Sequence, residues 1–169
     1  MRRHFLLLVA MPLYLSVWGA TPAHADTAAQ ARKAIQAAYD REDAAAAHRN
    51  INGILSNYAP DYQDREPNGL KVGLADVRQS LVVMFQNARA VTAKTTIQNF
   101  TLQGSKAIVT TKEYAMLTVA SKAEHGQLHK IVLNSTDEDT WAKRGNRWLK
   151  VSTRTLRQSE MIDGKPLGR

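Results

Sequence analysis

The 169-residue sequence contains no cysteine. The chain can therefore form no disulfide, and it has neither a cysteine nucleophile, a cysteine metal ligand nor a cysteine for lipid anchoring. Histidine is scarce too, and His125 and His129 lie in a Gly-containing loop and strand, where a four-residue spacing does not bring two imidazoles to one metal. Neither Ser135 nor Ser152 sits in a nucleophile elbow, and no glycine-rich phosphate loop occurs. We expect no metal, no cofactor and no serine hydrolase.

Long hydrophobic runs are also missing, apart from one near the start. Residues 5–18 are apolar, follow the basic pair Arg2-Arg3 and precede the small-x-small sequence Ala23-His24-Ala25. This pattern predicts a signal peptide over residues 1–25, with Asp26 as the first mature residue, and the apolar run is short for a membrane span. We expect a bacterial periplasmic or secreted protein without a membrane span after cleavage. Sec export is favoured, and the resemblance of Arg2-Arg3-His4-Phe5-Leu6 to the twin-arginine motif leaves that route open.

Basic residues outnumber acidic ones, with a formal net charge of +8. Two of these charges belong to the predicted leader, and the others are interleaved with acids, as in Asp40-Arg41-Glu42-Asp43. A nucleic-acid-binding protein would show a basic stripe with interleaved aromatic residues. We therefore expect a solvated surface and no nucleic acid partner.

The remaining chain has the length of one domain with a substantial core. Helical periodicity predicts a long Ala-rich helix after a Thr27–Gln30 capping box, a short second helix and an amphipathic third helix after Gly73. From Val91 onward the pattern is of β type. The predicted elements are helices at 28–47, 51–57 and 74–88, a short strand at 62–65, and strands at 91–103, 106–120, 128–143 and 148–156, followed by a flexible tail at 158–169.

The stretch 136–156 predicts a hairpin with a Trp on each strand and a tight turn at Lys143-Arg144-Gly145-Asn146. Strict alternation places Asp137, Asp139 and Trp141 on one face of the first strand. On the second strand, Trp148, Lys150 and Ser152 oppose Leu149, Val151 and Thr153. The two acids either share a proton inside a pocket or are solvated near the basic turn.

This order of elements resembles the NTF2-like superfamily, particularly its SnoaL-like and DUF4440 branches. The motifs that carry the resemblance are Tyr58-Ala59-Pro60-Asp61-Tyr62, Glu66-Pro67-Asn68-Gly69 and the hairpin from Asp139 to Trp148. It implies an α+β fold over residues 26–157: a cone-shaped half-barrel whose curved antiparallel sheet wraps the N-terminal helices and leaves a largely apolar pocket. It also implies a homodimer formed through the outer face of the sheet.

The family includes ketosteroid isomerase, and fold alone does not decide the function. By resemblance, Glu66 before Pro67 falls at the position of the general base, and Asp139, two residues before Trp141, at that of a protonated oxyanion donor. Glu66 is alternatively an exposed turn acid. The oxyanion tyrosine has one candidate on the first helix, Tyr39.

Five aromatic residues are candidates for binding a ligand, although each could instead be part of the core: Tyr39, Tyr58, Tyr62, Tyr114 and Trp141. We favour a module that binds a small apolar organic molecule without catalysis. The alternative is a cofactor-independent isomerase, dehydratase or hydrolase that uses Glu66 and Asp139. A third hypothesis is a subunit that docks a partner protein through its sheet.

Overall fold

The computed structural model of the protein describes residues 26–65, 69–121 and 126–167. Three helices precede most of the sheet, as the sequence predicts. The elements are α1 (Ala28–Ala47), α2 (Ile51–Leu55), β1 (Tyr58–Arg65), β2 (Lys71–Gly73), α3 (Leu74–Asn87), β3 (Ala88–Gln103), β4 (Lys106–Ala120), β5 (Leu128–Arg144), β6 (Arg147–Ile162) and β7 (Lys165–Pro166). The predicted leader, residues 1–25, lies outside the described residues.

Helix α1 begins at the predicted capping box, in which Thr27 and Gln30 each accept a hydrogen bond from the other's backbone N–H. Its buried face consists of Ala31, Ile35, Ala38, Tyr39 and Glu42. The three small or aliphatic residues let the helix approach the sheet closely, so that the two larger polar side chains reach into the interior. The helix therefore packs against the sheet with one face and brings polar groups with it.

The sheet is a curved, unclosed antiparallel meander with one parallel neighbour. Its strands run in the order β2-β1-β6-β5-β4-β3, with β7 paired to β6. The strands from β3 to β6 pair antiparallel in sequence order, whereas β1 pairs parallel with β6. The β5–β6 hairpin closes at the Arg144–Arg147 pair, where Gly145 has a φ of +64°. This is the α+β half-barrel that the resemblance implies, and the predicted fold class is confirmed.

Strand β6 carries two bulges that the sequence does not reveal. Val151 is the extra residue between the pairs Trp141–Lys150 and Thr140–Ser152, and Leu156 is extra between Asp137–Thr155 and Thr136–Arg157. Each bulge reverses the alternation of side chains. The placement of Ser152 on the face of Lys150 is therefore wrong, and Thr153 lies on that face instead.

The last strand is longer than the pattern predicts. β6 continues past Leu156 to Ile162 because its residues keep pairing with β5, for example Glu160 with Leu133. β7 then pairs Lys165 with Ile162. Residues 158–162 therefore belong to the sheet, which corrects the predicted start of a flexible tail at 158.

Two hydrophobic clusters lie between the helices and the sheet. The first fills the narrow end and contains Ala31, Ile35, Ala38, Tyr39, Ile97, Ala107, Val109, Trp141 and Trp148. The second, at the wide end, contains Ile54, Leu55, Phe85, Ala88, Val91 and Leu117. No helix in the described part of the chain is long and apolar enough to cross a membrane. A cavity lies between the two clusters.

Candidate functional site

A cavity of about 410 Å³ lies inside the half-barrel, between the helices and the concave face of the sheet. The character of its wall changes along β5, whose lining residues on the inward face, from the narrow end to the wide end, are Asp139, Asp137, Ser135 and Leu133. On β4 the lining residues are Glu113, Ala115 and Leu117, and they follow the buried Ala107, Val109 and Thr111 on the same face. The cavity therefore has a polar inner end, an acidic middle and an apolar outer end.

Asp139 is the centre of the polar inner end. It is buried, with 3% of its surface exposed, and its two oxygens accept hydrogen bonds from Tyr39 Oη and Thr153 Oγ1, both at 2.5 Å. Tyr39 Oη in turn accepts a hydrogen bond of 2.9 Å from Trp141 Nε1. Burial raises the pKa of the Tyr39 hydroxyl, and so does the negative charge of Asp139. Tyr39 therefore stays a hydroxyl donor, and Asp139 serves as an acceptor.

Lys150 supplies a positive charge next to this pair. Its Nζ lies 3.0 Å from Glu42 Oε2 and 3.8 Å from Asp139 Oδ2, and 7% of the side chain is exposed. Burial would lower the pKa of Lys150, but the charges of Asp139 and Glu42 outweigh it and raise that pKa. The ammonium group also lies 4.9 Å from the Tyr39 ring centroid and 4.7 Å from that of Tyr58. Carboxylates and aromatic faces together hold a buried cation here.

Glu42 projects into the same cluster from α1. Asn57 Nδ2 donates to its Oε1 at 3.3 Å, and Lys150 donates to its Oε2. Burial raises the pKa of Glu42 and prevails over the opposing effect of Lys150. Two carboxylates thus share one ammonium group, so the inner end has more negative than positive groups.

Two further acids, Asp137 and Glu113, face the acidic middle of the cavity. Asp137 accepts a hydrogen bond from Ser135 Oγ, and burial raises the pKa of its carboxyl group. The side chain of Glu113 is exposed to the open cavity. Desolvation by the surrounding wall raises its pKa to about 7; the positive charge of Lys150 opposes this shift, and the negative charges of Asp137, Asp139 and Glu42 add to it. At neutral pH Glu113 can therefore both accept and release a proton.

The structure brings most of the predicted site residues together. Tyr39, Tyr58, Tyr62 and Asp139 all line the cavity, and the rings of Tyr58 and Tyr62 pack edge to face with centroids 4.6 Å apart. Asp137 accompanies Asp139 inside the barrel, so of the two environments considered for this acid pair the interior is the one observed.

Two predicted ligand-binding residues lie elsewhere. Trp141 is fully buried in the narrow-end cluster, behind the cavity, where it supports Tyr39. Tyr114 is 37% exposed and follows the inward Glu113, so alternation puts it on the outer face of the sheet. The predicted base Glu66 lies outside the described residues, and its role stays a prediction.

Glu42, Lys150 and Glu113 are among the site residues that the sequence did not single out. Lys150 shares the predicted face of Trp148, but lysine is seldom buried unless it is paired, and its partner Glu42 is 108 positions away. Glu113 is the only charged residue in the series Val109, Thr111, Glu113, Ala115 and Leu117, which is a usable signal. An acid within an otherwise uncharged face of a strand indicates a cavity wall.

No group of three or more His, Asp or Glu side chains is arranged as a metal site in the described ranges. His129 instead lies with Nδ1 2.7 Å from Asp163 Oδ2, at the end of the sheet near β7. His125 lies outside the described residues.

No model of a known protein family and no curated protein matches the chain. Solved structures do resemble it. A conserved protein from Planctomyces limnophilus is 14% identical with a TM-score of 0.64, and the match covers 81% of this chain and 98% of that one. A hexachlorocyclohexane dehydrochlorinase, LinA-type3, from Novosphingobium barchaimii is 13% identical with a TM-score of 0.59, covering 82% and 90%.

A protein with a cystatin-like fold from Nostoc punctiforme is 13% identical with a TM-score of 0.57, and the match covers 76% of this chain and 91% of that one. At these identities the likeness concerns the fold. The chain has the NTF2-like fold, and its neighbours of that fold include a named enzyme as well as proteins without a named activity.

Proposed function

We propose that this NTF2-like domain binds a small organic molecule in the cavity between its helices and its sheet. The observation that carries the proposal is the volume of the cavity together with the polarity of its lining. About 410 Å³ falls within the usual size of small-molecule sites, and the apolar outer end leads to a few convergent polar groups. A domain that only docked a protein through its sheet would gain nothing from keeping this space open.

A neutral fluorescent probe, N-phenyl-1-naphthylamine, tests the proposal. Its emission rises in apolar surroundings, so we expect saturable enhancement with the wild-type protein. Ala115→Phe places a ring in the cavity and should weaken binding at least tenfold. Met116→Phe, the next residue on β4, points to the opposite face and serves as the control. If both variants bind as the wild type does, the probe does not occupy the cavity, and the proposal fails.

The second candidate is cofactor-independent proton transfer, of the kind that an isomerase or dehydratase carries out. Glu113 is the observation in its favour, because a carboxylate with a pKa of about 7 can act as a general base at neutral pH. The resemblance-based scheme used Glu66 as base and Asp139 as donor. The hydrogen bonds of Asp139 suit an acceptor, so Tyr39 or Lys150 is the better-placed group to stabilise a developing negative charge.

Exchange of α-protons for deuterium in 2-tetralone, followed by NMR in deuterated buffer, tests this second candidate. We expect exchange above the buffer rate, and Glu113→Gln should remove most of it. Glu138→Gln, on the outer face beside Arg154, should leave the exchange unchanged. Exchange that survives in Glu113→Gln would exclude Glu113 as the base.

We also propose that the protein is exported and acts as a homodimer. The support for export is the leader pattern of residues 1–25, and that for pairing is the resemblance described above. Native mass spectrometry on protein from a periplasmic fraction tests both. We expect a species of twice the mass of the chain that starts at Asp26. An uncleaved N-terminus would contradict export, and a monomer would contradict the homodimer.

A further inference from the structure

Glu113 is a charged side chain without a partner in the described part of the chain. It makes no hydrogen bond or ion pair with any of those residues, although its cross-strand neighbours are Thr95 on β3 and Ser135 on β5. Both neighbours are engaged elsewhere: Thr95 Oγ1 donates to Asp43 at 2.9 Å, and Ser135 Oγ donates to Asp137. The carboxylate of Glu113 therefore faces the cavity with its hydrogen-bonding capacity unused.

The charges around the cavity do not balance. Six carboxylates line it, whereas Lys150 is the one basic residue in its described wall. The acidic lining residues are Glu42, Asp43, Asp64, Glu113, Asp137 and Asp139. Lys150 is already held by Glu42 and Asp139 at the inner end. The hydroxyl groups that serve Asp43 and Asp137 satisfy hydrogen bonds but bring no positive charge.

The pKa values of two of these acids are raised. Desolvation is the largest cause, and it raises the pKa of Glu113 to about 7 and also raises that of Asp137; Lys150 acts in the opposite direction, and neighbouring carboxylates add to the effect of desolvation. A group that brought a positive charge to this position would reverse that contribution. The middle of the cavity is thus poised to accept a cation.

The outer end of the cavity has the opposite character. It is lined by aliphatic and aromatic side chains from α3, β4 and β5, namely Leu81, Met84, Phe85, Leu117 and Leu133. On β4, Ala115 and Leu117 follow Glu113 on the same face, so the apolar wall begins one pair of residues beyond the carboxylate. A molecule that fits both regions has a charged end and an apolar body.

We propose that the ligand of this cavity is a protonated amine with an apolar body, and that its ammonium group pairs with Glu113. The inference rests on the proposed function, since it names the chemical class that the same cavity accepts. Its ammonium group would make charge-assisted hydrogen bonds to Glu113 and lie close to Asp137. The body would cover the wall formed by Leu117 and Leu133.

Three probes of nearly equal shape separate charge from apolar contact: 4-phenylbutylamine, the neutral 4-phenyl-1-butanol and the anionic 4-phenylbutyrate. Each is titrated against the purified protein at about pH 8, with displacement of N-phenyl-1-naphthylamine as the readout. We expect the amine to bind at least tenfold more tightly than the alcohol, and the carboxylate probe to bind most weakly. Added salt should reduce the advantage of the amine.

Glu113→Gln keeps the shape of the side chain and removes its charge. We expect it to weaken binding of the amine about tenfold and to leave the alcohol unchanged, whereas Glu138→Gln on the outer face should alter neither. Equal binding of amine and alcohol to the wild type, or an advantage of the amine that persists in Glu113→Gln, would overturn the inference while the cavity still binds the alcohol. Failure of every probe, the fluorescent one included, would overturn the proposed function with it.

Discussion

Lys150 is the residue that joins the inner end of the cavity to the rest of the fold. Its ammonium group sits between Glu42 from α1 and Asp139 from β5, and three aromatic rings surround it. Burying an ion pair costs desolvation that the attraction only partly offsets, but removing one partner leaves an uncompensated buried charge. The stability of the narrow end should therefore be sensitive to single substitutions in this pair.

We expect Lys150→Met to lower the free energy of unfolding by about 3 kcal/mol, because it leaves two buried carboxylates facing each other. The double variant Lys150→Met/Glu42→Gln should lose less unfolding free energy than the two single variants lose in sum. Urea denaturation of the four proteins measures this coupling.

The exposed pair Arg154–Glu138 provides the control for this double-mutant cycle. Its side chains are 57% and 36% exposed, and its coupling should be below about 1 kcal/mol. A coupling between Lys150 and Glu42 no larger than that of the surface pair would show that the buried contact contributes nothing specific.

Among single residues, the sequence left Asp139 either inside a pocket or solvated near the basic turn, and the structure places it inside the barrel. Alternation put Asp139 on the same face as Trp141, but it did not decide whether this face lines a pocket at Asp139. Glu42 and Lys150 could not be paired from the sequence, since their contact depends on how α1 lies across the sheet. Tyr114 was chosen for its ring and hydroxyl, properties that do not say which face of a strand a residue occupies.

At the scale of elements, periodicity predicted each helix and each long strand, because the hydrophobic faces that drive folding repeat locally. Strand β6 is the exception in detail. Its bulges at Val151 and Leu156 reverse the alternation. The Val151 bulge moves the inward position from Ser152 to Thr153. Both residues are small and polar, so the hydrophobic pattern does not distinguish them, and only the register with β5 does.

The two hydroxyl residues make a direct test of the Val151 bulge. Thr153 donates to buried Asp139, so Thr153→Val, which keeps the shape but removes the hydroxyl, should cost about 1 to 2 kcal/mol of unfolding free energy. Ser152→Ala should stay within about 0.5 kcal/mol. Thermal or urea denaturation of both variants distinguishes the registers, and the reverse order of effects would place Ser152 inside and remove the bulge.

At the scale of the whole molecule, two sets of carboxylates respond to pH in opposite ways. Hydrogen bonds from Lys143 and Trp148 lower the pKa of Asp26, and that from Arg144 lowers the pKa of Asp61. Acids with a lowered pKa stabilise the fold above their unfolded value near 3.8, and this contribution is lost as the pH falls. The cavity acids have the opposite effect on the pH dependence of stability, because burial raises their pKa.

Glu113 shows in which direction the cavity acids change stability with pH. Its pKa is about 7 in the fold against 4.5 in the unfolded chain, so between these values the folded state binds more protons. Stability is then greatest at the acidic side of this window and falls as the pH rises through about 7. Asp137 and Glu42, whose pKa values are also raised, add to the same trend. Together with the surface acids, this predicts a stability maximum in mildly acidic solution.

We expect the wild-type protein to lose stability between about pH 5 and pH 8, and Glu113→Gln to remove part of that loss. One pKa unit corresponds to about 1.4 kcal/mol, but Glu113 is accessible from the cavity, so screening should reduce its whole contribution to about 1 kcal/mol. Urea denaturation at both pH values, with Glu138→Gln as the control, measures the difference. Glu113→Gln should match the wild type near pH 5 and exceed it near pH 8. If the pH dependence of Glu113→Gln equals that of the wild type, the carboxylate does not titrate in this window, and its role as a general base at neutral pH fails with it.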